Sequence, residues 1–131
     1  MMGARILVAE DNLANLELVR YLLSRAGHEV ITTADGLAAL EEAQRAVPDL
    51  IISDLQMPRM DGYQLLARLR GDPALRAVPV IALTAFSMPG DRVKVMQAGF
   101  DSYMSKPLVP ETFVAQVEAW LPASRRDGER G

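Results

Sequence analysis

Leu50-Ile-Ile-Ser-Asp54, followed at once by Leu55-Gln-Met-Pro-Arg-Met-Asp-Gly62, sets the frame for the whole chain. A short run with almost no polar alternation leads into an acid, and a loop containing Pro58 and Gly62 comes next. Such a run suits a strand covered on both faces, as in a parallel sheet. Working outward, Arg5-Ile-Leu-Val-Ala9, His28 to Thr33, Val80-Ile-Ala-Leu83 and Phe100 to Ser105 read as four more strands. Between them the apolar spacing turns helical. Leu16, Val19, Leu22, Leu23 and Ala26 mark a helix within 12–26, and Gly27 stops it. Further helices are expected over Leu37 to Ala46, over Tyr63 to Arg70, up to about Ala98 with Gly99 as the stop, and over Glu111 to Leu121. The last should carry Phe113, Val117, Trp120 and Leu121 on one face. Five strands alternating with five helices predict a doubly wound α/β fold with a five-stranded parallel sheet.

Composition removes many functions. The chain has 131 residues, 50% hydrophobic and 24% charged, which is one globular domain and not a disordered chain. There is no Cys, so disulfides and thiol chemistry are excluded, and one His (His28) cannot make a histidine metal site. A net charge of −3 gives no reason to expect a nucleic-acid partner. The longest mostly apolar stretch, Val78 to Phe86, is too short to span a membrane, and no signal-peptide pattern opens the chain. The expectation is a cytoplasmic protein with a domain over 1–122 and a disordered tail over 123–131.

In a doubly wound sheet, ligands bind beyond the carboxyl ends of the strands. The first run ends in Glu10-Asp11-Asn12, the third in Asp54, the fourth in Thr84-Ala85 and the fifth in Lys106-Pro107; the second ends in Thr33-Ala34, with no comparable group. Three converging acids repel one another unless a cation relieves them. Mg²⁺ accepts a few carboxylates together with water and phosphate oxygens, and Glu10, Asp11 and Asp54 match that preference. Lys106 and the Thr84 hydroxyl supply partners for an anionic oxygen. The set reads as a phosphoryl-transfer site with Asp54 as nucleophile.

These residues, in this order and at these spacings, resemble the receiver domain of bacterial two-component response regulators, the chemotaxis-regulator type of flavodoxin-like fold. The resemblance covers 5–121. It rests on Glu10-Asp11-Asn12, Asp54 to Gly62, Thr84-Ala85 and Tyr103-Met-Ser-Lys-Pro107. Thr84 to Asp91 also looks like stand-alone receivers of the cell-cycle adaptor type, and Glu10 to Asn15 resembles receivers attached to hybrid histidine kinases. The resemblance implies strand order 2-1-3-4-5 and Asp54 as the phosphoacceptor. It implies Mg²⁺ held by Asp11, Asp54 and the Gln56 carbonyl, with Glu10 acting through water. Thr84, with Ala85 beside it, and Tyr103 become the switch pair. Lys106 becomes the phosphoryl-binding lysine, and Lys106–Pro107 a cis peptide. Uncharged Gln56 and Phe86 flank the path of hydrolytic water, implying slow to moderate loss of phosphate. Pro89-Gly90 suggests a fourth helix that begins late or is mobile.

The implied partners are a sensor histidine kinase or histidine phosphotransfer protein as donor and an unidentified protein as target, with the chain a monomer or weak dimer. It is not expected to be an enzyme beyond its own phosphorylation and hydrolysis. If the chain is the whole gene product, with no output domain after residue 121, output is expected by protein contact, with apolar groups near Tyr103, Val95 and Val109 as the docking surface; Arg125, Arg126 and Arg130 read first as a solubilising end and second as an aid to that contact. The alternatives are an interaction module that is never phosphorylated, or a receiver fragment of a hybrid kinase. An aspartyl-phosphate hydrolase would want a second acid where Gln56 stands. A flavin carrier would place phosphate against the acidic Glu10-Asp11 loop.

Overall fold

The structure is a computed structural model that describes residues 3–85 and 90–121. Five strands, β1 (Arg5–Ala9), β2 (Glu29–Thr33), β3 (Leu50–Asp54), β4 (Val80–Thr84) and β5 (Ser102–Ser105), form one parallel sheet in the order β2-β1-β3-β4-β5. Five helices alternate with them: α1 (Leu13–Arg25), α2 (Gly36–Arg45), α3 (Gly62–Gly71), α4 (Asp91–Ala98) and α5 (Pro110–Glu118). The predicted fold class and strand order are therefore observed.

The missing polar alternation has a direct cause. Leu7, Ala9, Ile51, Val80 and Ala82 pack with Leu40, Leu65, Leu69 and Phe100 in one core layer. Their chain neighbours Ile6, Val8, Leu50, Ile52, Ile81 and Leu83 point the other way, against Val19, Leu23, Phe113 and Val117. Successive strand residues face opposite sides, and both sides here are covered by helices. Each large aliphatic group so buried contributes about 1.5–3 kcal/mol before chain entropy is subtracted.

The ends of the helices follow their residues. Asn12, Asp35 and Asp61 cap α1, α2 and α3 by accepting from the amides of Asn15, Ala38 and Gln64. Gly99 closes α4 with φ 108°, a left-handed turn that other residues rarely adopt. Helix α4 begins at Asp91, with Gly90 in the cap position and no side-chain cap. Pro89 and the proposed tail over 123–131, with Arg125, Arg126 and Arg130, lie outside the described residues.

Three expectations need correction. Strand β5 begins at Ser102, because Phe100 is drawn into the core and the Asp101 carboxylate accepts from the Val80 amide and Arg70. Trp120 does not share the buried face of α5; the helix ends at Glu118, and Trp120 stays 40% exposed while Phe113, Val117 and Leu121 are buried at four-residue spacing. Val95 is not part of an exposed surface. It is 1% exposed, facing the core, and Val93 and Met96 take the outer side of α4 instead.

Candidate functional site

Register places the reactive groups. Asp54 is the last residue of β3, and Thr84 the last of β4. Each of two more residues adds one rung beyond its strand: the Glu10 amide donates to the Thr33 carbonyl at 3.0 Å, and the Lys106 amide to the Thr84 carbonyl at 2.9 Å. Four adjacent strand ends thus open on one cleft, lined by Glu10, Asp11, Asp54, Gln56, Thr84 and Lys106 among others. Gly62 lets α3 start close by. A Cβ on it would lie 2.4 Å from the Asp54 carbonyl oxygen, so no larger residue fits without moving the acid.

Within the cleft the Lys106 Nζ lies 2.9 Å from Asp54 Oδ2 and 2.9 Å from Glu10 Oε1. Asp54 Oδ1 accepts from the Leu55 amide at 2.7 Å, and Glu10 Oε2 from the Asn12 amide at 3.0 Å. The contact of Glu10 Oε1 with the ammonium is an ion pair without hydrogen-bond alignment, so this buried oxygen has no hydrogen-bond partner. Ligand atoms of Glu10, Asp11 and Asp54 lie within 4.8 Å of one another; Glu10 and Asp54 are buried and Asp11 is exposed.

One ammonium faces more negative charge than it can balance. Burial pushes the Glu10 carboxyl above its usual range, and neighbouring Asp54 adds to this, against the pull of Lys106 and the Asn12 amide. Burial works against the Lys106 ammonium, but Glu10 and Asp54 outweigh it and hold its pKa above the usual value. The Glu10 shift reports burial first and the neighbouring Asp54 after it, and the Lys106 shift reports the two acids. A hard dication suits this donor set: three clustered carboxylates, one buried oxygen lacking a hydrogen bond, and an open mouth at Asp11.

Thr84 is buried at the cleft edge, and Tyr103 is half-buried on β5, paired in register with Ala82. Ala82 and Thr84 are two apart, so Tyr103 and Thr84 share a face of the sheet. The Arg92 guanidinium lies 5.1 Å above the Tyr103 ring. Ala85 lines the cleft, and the Lys106–Pro107 peptide is cis. Phe86 lies outside the described residues. The structure thus brings Glu10, Asp11, Asp54, Gln56, Thr84, Ala85 and Lys106 to one cleft, with Tyr103 behind it on the next strand.

The comparisons with known proteins agree with this geometry. A model of the response regulator receiver domain matches residues 6–118. The chain belongs to the response regulator receiver family. It is 39% identical over 120 residues to the polar-differentiation response regulator DivK of Brucella anthropi, covering 92% of this chain and 98% of that one. The chemotaxis response regulator CheY4 of Vibrio cholerae superposes with a TM-score of 0.85 at 32% identity, covering 92% of this chain and 100% of that one. The receiver domain of a sensor histidine kinase from Pseudomonas aeruginosa, solved with a magnesium ion coordinated in its active-site cleft, gives 0.83 at 36% identity and covers 90% and 97%. The chain is therefore a phosphoacceptor receiver of two-component signalling, similar to regulators that are single domains.

Sequence reasoning missed two features of the site's surroundings. Lys106 contacts Glu10 as closely as Asp54. The loop after β3 is tied to the turn after β2, through Arg59–Asp35 at 2.8 Å and the Gly36 amide to the Met60 carbonyl at 3.0 Å. Asp35-Gly36 reads only as a turn, and nothing local in the sequence marks its partner.

Proposed function

We propose that Asp54 accepts a phosphoryl group from a phosphohistidine on a sensor histidine kinase or histidine phosphotransfer protein. The observation that carries this is the Lys106 ammonium 2.9 Å from Asp54 Oδ2, inside a cleft where three carboxylates crowd together. An oxygen of the Asp54 carboxylate attacks the phosphorus. The P–N bond breaks, its electron pair stays on the imidazole nitrogen, and solvent supplies the proton that neutralises the leaving ring. Glu10, Asp11, Asp54 and the Gln56 carbonyl would hold Mg²⁺; when bound, the ion neutralises charge on the phosphoryl oxygens. Lys106 is positioned to keep one of those oxygens, and Thr84 to donate its hydroxyl to another.

Drawing Thr84 toward the phosphoryl group leaves room on the face it shares with Tyr103, which biases the outer surface of α4, β5 and α5. Val93, Met96 and Val109 are the exposed apolar groups there, and a target protein would dock on them. With uncharged Gln56 beside the acceptor, phosphate loss is slow to moderate. The domain spans 1–122, and its site is a cytoplasmic signalling site with no substrate of its own beyond the phosphodonor.

The test is intact mass after incubation with phosphoramidate and Mg²⁺. The wild-type chain gains one phosphoryl group, and Asp54→Asn gains none. Absence of gain in the wild type, or gain retained by Asp54→Asn, would overturn the reading and favour an interaction module that is never phosphorylated.

A further inference from the structure

Gln56 lines the cleft, and the phosphoacceptor reading gives its backbone carbonyl to the divalent cation, so its usefulness depends on how the loop between β3 and α3 is held. That loop is closed at its base by the Gly62 amide donating to the Leu55 carbonyl at 2.9 Å. Its tip is closed elsewhere. Arg59 has φ 66°, in the left-handed region that an Arg seldom occupies. This turn aims its guanidinium at Asp35 Oδ2, 2.8 Å away, while Met60 turns its carbonyl to the Gly36 amide at 3.0 Å. A Cβ at Gly36 would lie 2.1 Å from that carbonyl oxygen, so the approach of the two turns requires glycine. The second carboxylate oxygen of Asp35 accepts from the Ala38 amide at 2.8 Å and so anchors the contact to the start of α2. Gln56 lies between the two closures.

We infer that Asp35 and Arg59 are positioning residues that fix the Gln56 carbonyl toward the cleft, and so set the affinity of the site for its divalent cation. The inference rests on the phosphoacceptor reading above. The turn after β2, which carries no group to the cleft itself, acts on the chemistry through the neighbouring loop. Asp35 and Arg59 touch neither phosphoryl group nor ion. Breaking their contact loosens one ligand and leaves Asp54, Asp11, Glu10 and Lys106 in place.

The experiment titrates Mg²⁺ into the wild type, Asp35→Asn, Arg59→Gly and Arg59→Lys, following binding by calorimetry and the Gln56 carbonyl by ¹³C NMR. Asp35→Asn keeps the helix cap, and Arg59→Gly relieves the left-handed turn, so thermal melts of both should stay close to the wild type. The expected result is Mg²⁺ affinity weakened by about three- to tenfold in both, since removing groups that support a metal ligand costs at least this much when they touch it directly. The phosphorylation rate at saturating Mg²⁺ is expected to stay within about twofold, and Arg59→Lys to recover part of the affinity. Unchanged Mg²⁺ affinity in Asp35→Asn and Arg59→Gly, with the wild type binding normally, overturns the inference. A weakening that only tracks a loss of melting temperature overturns it too. A wild-type chain that binds no Mg²⁺ and takes no phosphoryl group fails the underlying reading instead, and the two failures are told apart by that control.

Discussion

At the foot of the sheet, before β1, His28 Nδ1 accepts from the Ala4 amide at 3.0 Å and His28 Nε2 meets Glu118 Oε2 at 2.8 Å. At the head, after β1, Glu10 meets Lys106 at 2.9 Å, with Asp54 and Asp11 beside it. Both clusters are polar and centred on buried groups, with Asp11 alone exposed at the head, and each ties together distant parts of the chain. Around His28 one ring nitrogen accepts from a backbone donor and the other donates to a carboxylate. Arg5 Nε, at the start of β1, is buried without a hydrogen-bond partner and faces no cluster of like charges. The head is not matched, with three acids around one ammonium and one carboxylate oxygen lacking a hydrogen bond. What sets the head apart is the crowding of like charges: three clustered carboxylates favour a cation, whereas the His28 network is neutralised within itself.

If that contrast is right, removing a group at the foot costs stability, and neutralising one at the head returns some. His28→Ala leaves the Ala4 amide without its acceptor and Glu118 Oε2 without the ring, and should cost about 2–4 kcal/mol. Urea denaturation at neutral pH measures it. A loss below about 1 kcal/mol would mean that water replaces the ring freely and that the foot is not the tighter of the two ends.

Much of the head was legible because its residues follow recognisable runs. Glu10, Asp54, Thr84 and Lys106 each stand at or just after a strand, so finding the strands found the site. The foot was invisible for the opposite reason. His28 and Glu118 are 90 positions apart, one at a strand start and one at a helix end, and neither position carries a pattern. The same holds for Arg59 and Asp35, two ordinary surface residue types whose meeting depends on how two turns pack. Val95 and Trp120 were misplaced on a smaller scale: a short helix presents three or four faces, and apolar residues on two of them cannot be ranked without knowing which neighbour covers which.

The next test has the opposite sign. Glu10 carries a folded-state pKa above 4.5, pushed up by burial and by Asp54. Between that ordinary value and the raised one, the folded state holds more protons than the unfolded state, so stability falls as pH rises through the window. Glu10→Gln keeps an oxygen for the Asn12 amide and removes the charge. It should be more stable than the wild type at neutral pH, with the difference disappearing toward pH 4.5, while Mg²⁺ binding weakens. Lys106 has the same sign in a more alkaline window. Its pKa is held above 10.5 by Glu10 and Asp54 against the cost of burial, so its contribution is complete below 10.5 and is lost as pH rises through the folded value. Chemical denaturation of both proteins across pH separates the two. A Glu10→Gln variant less stable than the wild type at neutral pH would place the head among satisfied networks and remove the contrast.

The smallest effect belongs to the pair between these extremes. Asp35 titrates below 3.8 because the Ala38 amide donates to it and, second, because Arg59 pairs with it. A depressed acid lends stability above its unfolded pKa and loses it as pH falls through the folded value, so Asp35 acts in the acid range where Glu10 does not. Arg59→Gly removes the second cause and leaves the first. The Asp35 carboxyl should therefore move only part of the way back toward 3.8, as carboxyl ¹³C shifts would show, whereas a partner that dominated would return it fully. A complete return would mean that the guanidinium, and not the helix cap, holds this carboxylate ionised; the loop after β3 would then loosen in acid at the same pH at which Asp35 takes its proton.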